Sequence, residues 1–181
     1  MRKSFLVYIM LPLPCCSQLI DELPKDENGK LSISEIVTVD STTKNELYVR
    51  SKQFFVDYFK SANDIIQLDD KDEAIVIGKG ASKIPDLLIL YSIRIQSKEG
   101  RYKYEIYDVS FQFSSTIANY TSINSAEWMF DKARYYKKNG EVSKTLERHK
   151  NETMNIFNDL VRAIKLTMNV NNGRSKLNND W

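Results

Sequence analysis

The sequence predicts an α+β domain, a five-stranded antiparallel sheet with two helices on one face in the order β-α-β-β-β-β-α. Three observations carry this prediction. Short runs rich in β-branched residues, bounded by Gly, Asn and Asp turn signals, read as strands. Two stretches with apolar residues three and four apart read as amphipathic helices, one near each end of the domain. The strands flanking Glu99-Gly100 show one apolar face, so both helices have the same face to cover and the other is left to solvent.

Leu31 to Val39 reads as the first strand. Thr43 and Glu46 then stand at capping-box spacing, where a hydroxyl and a carboxylate satisfy backbone donors reciprocally, and a helix should start there. Its apolar side is Leu47, Phe54, Phe55, Tyr58 and Phe59. After Asn63 come four shorter runs, Asp64 to Leu68, Ala74 to Gly78, Leu87 to Ser97 and Arg101 to Phe113, read as four strands. Glu99-Gly100 suits a two-residue hairpin, because glycine tolerates the positive φ such a turn needs. That loop sets Lys98 against Arg101, Ile95 against Tyr104, Ile93 against Ile106 and Arg94 against Glu105, pairing apolar with apolar and cation with anion along the strands. The apolar phase slips between Ile106 and Val109, and a β-bulge at Tyr107-Asp108 restores it, so that Tyr91 meets Val109 and Ile89 meets Phe111. The other face, with Ser92, Arg94, Gln96, Lys103, Glu105, Ser110 and Gln112, reads as polar along its whole length.

Residues 114–142 form an irregular insertion with a short helix between Ser125 and Lys138, closed by Asn139-Gly140. The last helix is read from about Asn151 to Asn169, with Thr153, Ile156, Phe157, Leu160, Val161, Ile164 and Met168 as its apolar stripe. Residues 18–30 read as a polar leader, residues 31–169 as one domain, and residues 170–181 as a disordered tail made mostly of Asn, Lys, Arg, Asp and Gly.

Residues 1–17 read as an export signal, with Arg2 and Lys3 before the apolar run Phe5 to Leu13. A run this short does not span a hydrocarbon core, which takes about 20 residues. Two cuts compete. Small residues at Cys15 and Ser17 favour release with Gln18 first, whereas a lipoprotein would keep Cys16 as a lipidated first residue, against which stand Leu13, Pro14 and Cys15 where a lipobox normally has a small residue directly before the cysteine. Neither product holds a cysteine pair, so no disulfide framework is expected. The implied compartment is the periplasm or cell envelope, with membrane attachment only through such a lipid.

Taking Arg2 and Lys3 from the 26 basic residues leaves 24, against 24 acidic ones. Nucleic-acid binding rests on phosphate neutralisation, and with no dense Lys/Arg run a nucleic-acid partner is not expected.

The stretch Asn45-Glu46-Leu47-Tyr48-Val49-Arg50, the segments Asp69-Asp70-Lys71 and Ile77-Gly78-Lys79-Gly80, and the strand Arg101-Tyr102-Lys103-Tyr104-Glu105-Ile106 together resemble a domain family of unknown function. That family is found in exported proteins of Gram-negative bacteria and is assigned a fold like one repeat of the TATA-box-binding protein (TBP-like). The resemblance covers about Leu31 to Phe113 and the final helix, agrees with the element order above, and brings no catalytic residues. The TATA-box protein bends DNA with aromatic wedges on its sheet. Here Tyr91, Tyr104, Phe111 and Phe113 are assigned to the helix-covered face.

Site chemistry is sparse. His149, the only histidine, lies beside Arg148 and Lys150 and reads as a solvated surface group. Asp69, Asp70, Asp72 and Glu73 lack the ligand register of a calcium loop and read as a charged turn. Gly78-Lys79-Gly80 leads to another strand instead of a helix, so it reads as a strand end and not a phosphate loop. Asn119-Tyr120-Thr121 and Asn151-Glu152-Thr153 fit a glycosylation pattern that matters only in a eukaryote. The expectation is a non-enzymatic binding or interaction module without metal or cofactor, meeting a polar ligand or an envelope protein. Its candidate contacts are Arg94, Lys103 and Glu105 on the polar face and Trp128, Tyr135 and Tyr136 in the insertion. The alternative is a carboxylate-dependent hydrolase or transferase using Asp108 at the bulge with Glu105.

Overall fold

A computed structural model of the protein describes residues 20–59, 62–113 and 122–169. The segments read as an export signal, as the first residues of the insertion and as the tail lie outside the described residues. Strand β1 (Ile33–Thr38) leads to helix α1 (Lys44–Tyr58), a one-turn helix α2 (Ala62–Ile65), and strands β2 (Ile66–Asp70), β3 (Ile75–Ile84), β4 (Leu87–Lys98) and β5 (Arg101–Phe113). Strand β6 (Ser122–Ser125), short helices α3 (Ala126–Met129) and α4 (Lys132–Tyr135), and the long helix α5 (Lys144–Met168) follow.

All described pairings are antiparallel, in the order β1-β5-β4-β3-β2, with β6 added beside β5. The sheet therefore has six strands, one more than the sequence predicts. Strand β5 is long enough to pair β1 along Arg101–Ile106 and β6 along Ser110–Phe113. The second pairing is hard to foresee, because Ser122-Ile123-Asn124-Ser125 holds a single apolar residue.

The hairpin register agrees with the predicted one at Lys98–Arg101, Ile95–Tyr104, Ile93–Ile106, Arg94–Glu105 and Ile89–Phe111. The bulge sits one residue later than predicted: Tyr107 still pairs with Ser92, and Asp108 and Val109 together oppose Tyr91. Asp108 takes the left-handed turn there, φ +52°, a conformation that a short polar side chain tolerates better than most.

Helix α1 starts as predicted, with both arms of the Thr43/Glu46 capping box formed. Its buried side includes Leu47, Tyr48, Phe54 and Phe55, lying on β3 and β4. Strand β3 runs well past the predicted end, so Gly78 and Gly80 are mid-strand. Both glycines are close-approach positions. A Cβ on Gly78 would stand 2.4 Å from Phe55 Cε1, and one on Gly80 would stand 2.3 Å from Tyr91 Cε2. The predicted strand at residues 64–68 begins only at Ile66, since Asp64 and Ile65 belong to α2.

Helix α5 starts seven residues earlier than predicted, and this overturns the reading of His149 as a surface group. The ring is 2 % exposed. Its Nε2 lies 2.9 Å from Asp86 Oδ2, in the β3–β4 turn. Arg148 Nη2 donates to the same oxygen at 2.7 Å. Helices α1 and α5 cross the same sheet face in opposite directions, with Arg50 Nη1 donating to the Met168 carbonyl at 2.8 Å. Phe157 meets Tyr91 edge-on. The insertion packs on that side too, Phe130 meeting Phe111 edge-on and Ala126 and Met129 buried. It contains two helices where one was predicted, because Asp131 caps α4 by accepting from the Ala133 amide.

The leader is not simply polar. Ile20 and Leu23 belong to the core, and the Ile20 amide donates to the Phe130 carbonyl at 3.1 Å.

Candidate functional site

Strand alternation sends Tyr102, Tyr104 and Ile106 under the helices and turns Arg101, Lys103, Glu105 and Tyr107 to the other face. On β4, Ile93 and Ile95 go in while Arg94, Gln96 and Lys98 go out, and on β3 Lys79 and Lys83 lie on the outer face. All described helices that pack on the sheet lie on its inner face. Among the described residues no helix covers the outer face.

This open face is less uniformly polar than the sequence suggests. Ile36 on β1 and Ile123 on β6 are 66 % and 63 % exposed, and Leu68, Ile75, Ile77, Leu88, Leu90 and Tyr107 interrupt the polar rows. Cations also outnumber the described carboxylates on it, which are Glu105, Asp108 at the bulge and Asp70 on β2. Arg94 Nη1 pairs with Glu105 Oε2 at 3.4 Å and lies over the Tyr107 ring, 5.3 Å from its centre. Among the described residues, Lys79, Lys83, Lys98, Arg101 and Lys103 on that face make no ion pair. Cations of the helices and leader are mostly matched, as in Lys52 with Asp69, Lys132 with Asp21, Arg148 with Asp86 and Lys165 with Glu35. At the hairpin end, Ile36, Gln96, Lys98, Arg101, Tyr102 and Lys103 line a shallow depression of about 200 Å3.

The structure thus brings together Arg94, Lys103 and Glu105 as the sequence implies, and it places Trp128, Tyr135 and Tyr136 on the helix side, apart from them. Tyr135 is 3 % exposed beneath Lys150. Trp128 and Tyr136 are partly exposed, Trp128 capped by the Arg134 guanidinium 3.8 Å from its ring centre. That insertion is chiefly a lid over Phe111. Sequence reasoning missed Lys79, Lys83, Lys98 and Arg101. Their signal is period-two spacing across a hairpin and along β3, which a search for contiguous basic runs passes over.

For the carboxylate alternative, Glu105 is held by Arg94 and Asp108 stands exposed at the bulge. Among the described residues no group of three His, Cys, Asp or Glu side chains could hold a metal, and no helix is long and apolar enough to cross a membrane. Burial raises the pKa of the Tyr102 and Tyr104 hydroxyls, and helix-side ties lower that of three carboxyl groups. The Lys52 ammonium and the Tyr48 hydroxyl both bond Asp69 and lower its carboxyl pKa. Lys165, with Tyr104, does the same to Glu35, and His149, with Arg148, to Asp86.

Residues 34–112, which include the hairpin and its neighbouring strands, match the family model described as a domain of unknown function (DUF4468) with TBP-like fold. This stretch is similar to a DUF4468 domain. A DUF4468 family protein from Bacteroides ovatus superposes with a TM-score of 0.66 at 17% identity, covering 87% of this chain and 96% of its own. A TBP-like protein from Parabacteroides distasonis superposes with a TM-score of 0.53, also at 17% identity, covering 77% and 96%. At that identity the likeness is one of fold, and it extends beyond the stretch matched by the family model to the later elements. No curated protein matches the chain.

Proposed function

We propose that this protein is a non-catalytic binding module of the bacterial cell envelope, meeting a polar ligand or an envelope protein through the open face of its sheet. One observation carries the reading: five cations without ion pairs stand among exposed aliphatic side chains on a face that no described helix covers. Unmatched charge beside accessible apolar surface is a contact surface waiting for its complement. A nucleic-acid partner is disfavoured because Tyr107, the aromatic residue among the outward rows of β3, β4 and β5, is covered by Arg94 and offers no stacking platform.

Photo-crosslinking in the native host tests the reading. A crosslinking residue at Ile36, Lys79 or Ile123 should give discrete products, and one at Val49 or Val56, exposed on α1, should not. Products confined to α1 would sink the proposal. Export is tested by the intact mass of the protein from cell envelopes. A chain starting at Gln18 supports a released module, an acylated chain starting at Cys16 a tethered one, and an uncut chain refutes the envelope address.

A further inference from the structure

Lys98 and Arg101 are registered directly opposite each other across the hairpin, and Lys103 follows on the same face. Like charges so placed repel, and a sequence free to choose would put a carboxylate nearby. The surroundings withhold one. The outward neighbours in register are Gln96, Ile36 and Thr38, all neutral. Glu99, between the cations in sequence, is drawn to the start of α1, where its Oε2 accepts from the Lys44 amide at 2.9 Å. Glu105, one step further along β5, is occupied by Arg94. The three cations border a single depression with Ile36 exposed at its side.

We propose that this depression receives an acidic peptide segment of a partner protein, its carboxylates on Lys98, Arg101 and Lys103 and an aliphatic side chain against Ile36. The inference rests on the open-face reading and names its occupant. Exposed lysines gain little from one solvated anion, so an effective occupant carries several charges on one covalent body. Gln96 adds an amide that can both donate to and accept from a peptide backbone. The absence of a stacking platform in these outward rows favours peptide over nucleic acid.

The test is fluorescence anisotropy of the mature protein with a labelled glutamate peptide of about ten residues carrying a central leucine. Binding should be saturable and weaken with salt. Neutralising the site with Lys98→Gln, Arg101→Gln and Lys103→Gln should weaken it roughly ten-fold or more. That variant removes repulsion, so its melting temperature should not fall, which separates lost binding from lost folding. Lys138→Gln with Lys144→Gln, at exposed positions elsewhere, should leave binding unchanged, and Ile36→Ser should weaken it with the charges intact. Equal binding by the neutralised and parent proteins overturns the proposal. So does displacement of the peptide by millimolar inorganic phosphate, which would mark a small-anion site, or tighter binding of a DNA duplex of about 20 base pairs, which would mark a general polyanion surface. Open-face crosslinks without peptide binding would reject this occupant alone. Peptide binding without those crosslinks would reject the module reading and keep the site.

Discussion

Gly78 and Gly80 show at single-residue scale how this sheet accepts its helices. Each leaves the space of a missing Cβ to an aromatic ring, Phe55 from α1 at one and Tyr91 from β4 at the other. Gly78→Ala should therefore destabilise the fold by about 1–3 kcal/mol, the usual cost of overpacking. Chemical denaturation reads it, and an unchanged midpoint would mean that the Phe55 ring slides aside freely. His149 poses the opposite problem, a polar ring buried by choice. Asp86→Ala strips Nε2 of its carboxylate partner while Nδ1 already lacks one, so a loss of about 1–3 kcal/mol is expected in the same assay. Lys98→Glu should act in reverse. It turns a repulsive cross-strand pair into an attractive one and should raise stability by about 0.2–1 kcal/mol, while weakening any acidic ligand. A melting temperature that fell would show that Lys98 has a structural role.

Elements were legible in the sequence where local chemistry and packing agree. The start of α1 is written in Thr43 and Glu46, whose capping box forms in full, and Thr43→Ala should cost about 1 kcal/mol, seen as a lower denaturation midpoint. The β4–β5 register follows from one turn and one alternation, and it holds on both sides of the bulge. The start of α5 is harder to read. Ser143 makes no side-chain cap bond, and the buried stripe passes through His149, whose neighbours Arg148 and Lys150 suggest solvent. The end of β3 is masked because glycines that normally punctuate a strand here admit rings onto its surface. The site was legible in part for a similar reason. Arg94 and Glu105 are a pair that register alone reveals, whereas the basic face needs three strands placed side by side before its cations become neighbours.

Across the described residues, three carboxylates tie helix to sheet or to the β3–β4 turn through ion pairs: Asp69 to α1, Glu35 to α5, and Asp86 to α5. Their folded pKa values all lie below the ordinary values of 3.8 for Asp and 4.5 for Glu. The unfolded chain therefore binds more protons in this range. The stabilisation is complete above those ordinary values and is lost as pH falls through the depressed ones. All three sites are partly solvated, so each contributes modestly. Denaturation midpoints should hold between pH 5 and 7 and decline together below about pH 4. A midpoint unchanged at about pH 3 would show that these ties do not contribute measurably to stability.

The leader's attachment governs which way the molecule faces. Ile20 enters the core bonded to Phe130, with Asp21 on Lys132 and Glu22 on Lys150, all on the helix side. Anything joined ahead of Ile20, a lipid anchor or an experimenter's immobilising tag, therefore grips the protein by its back. The cationic sheet is presented outward, toward whatever arrives from the opposite side.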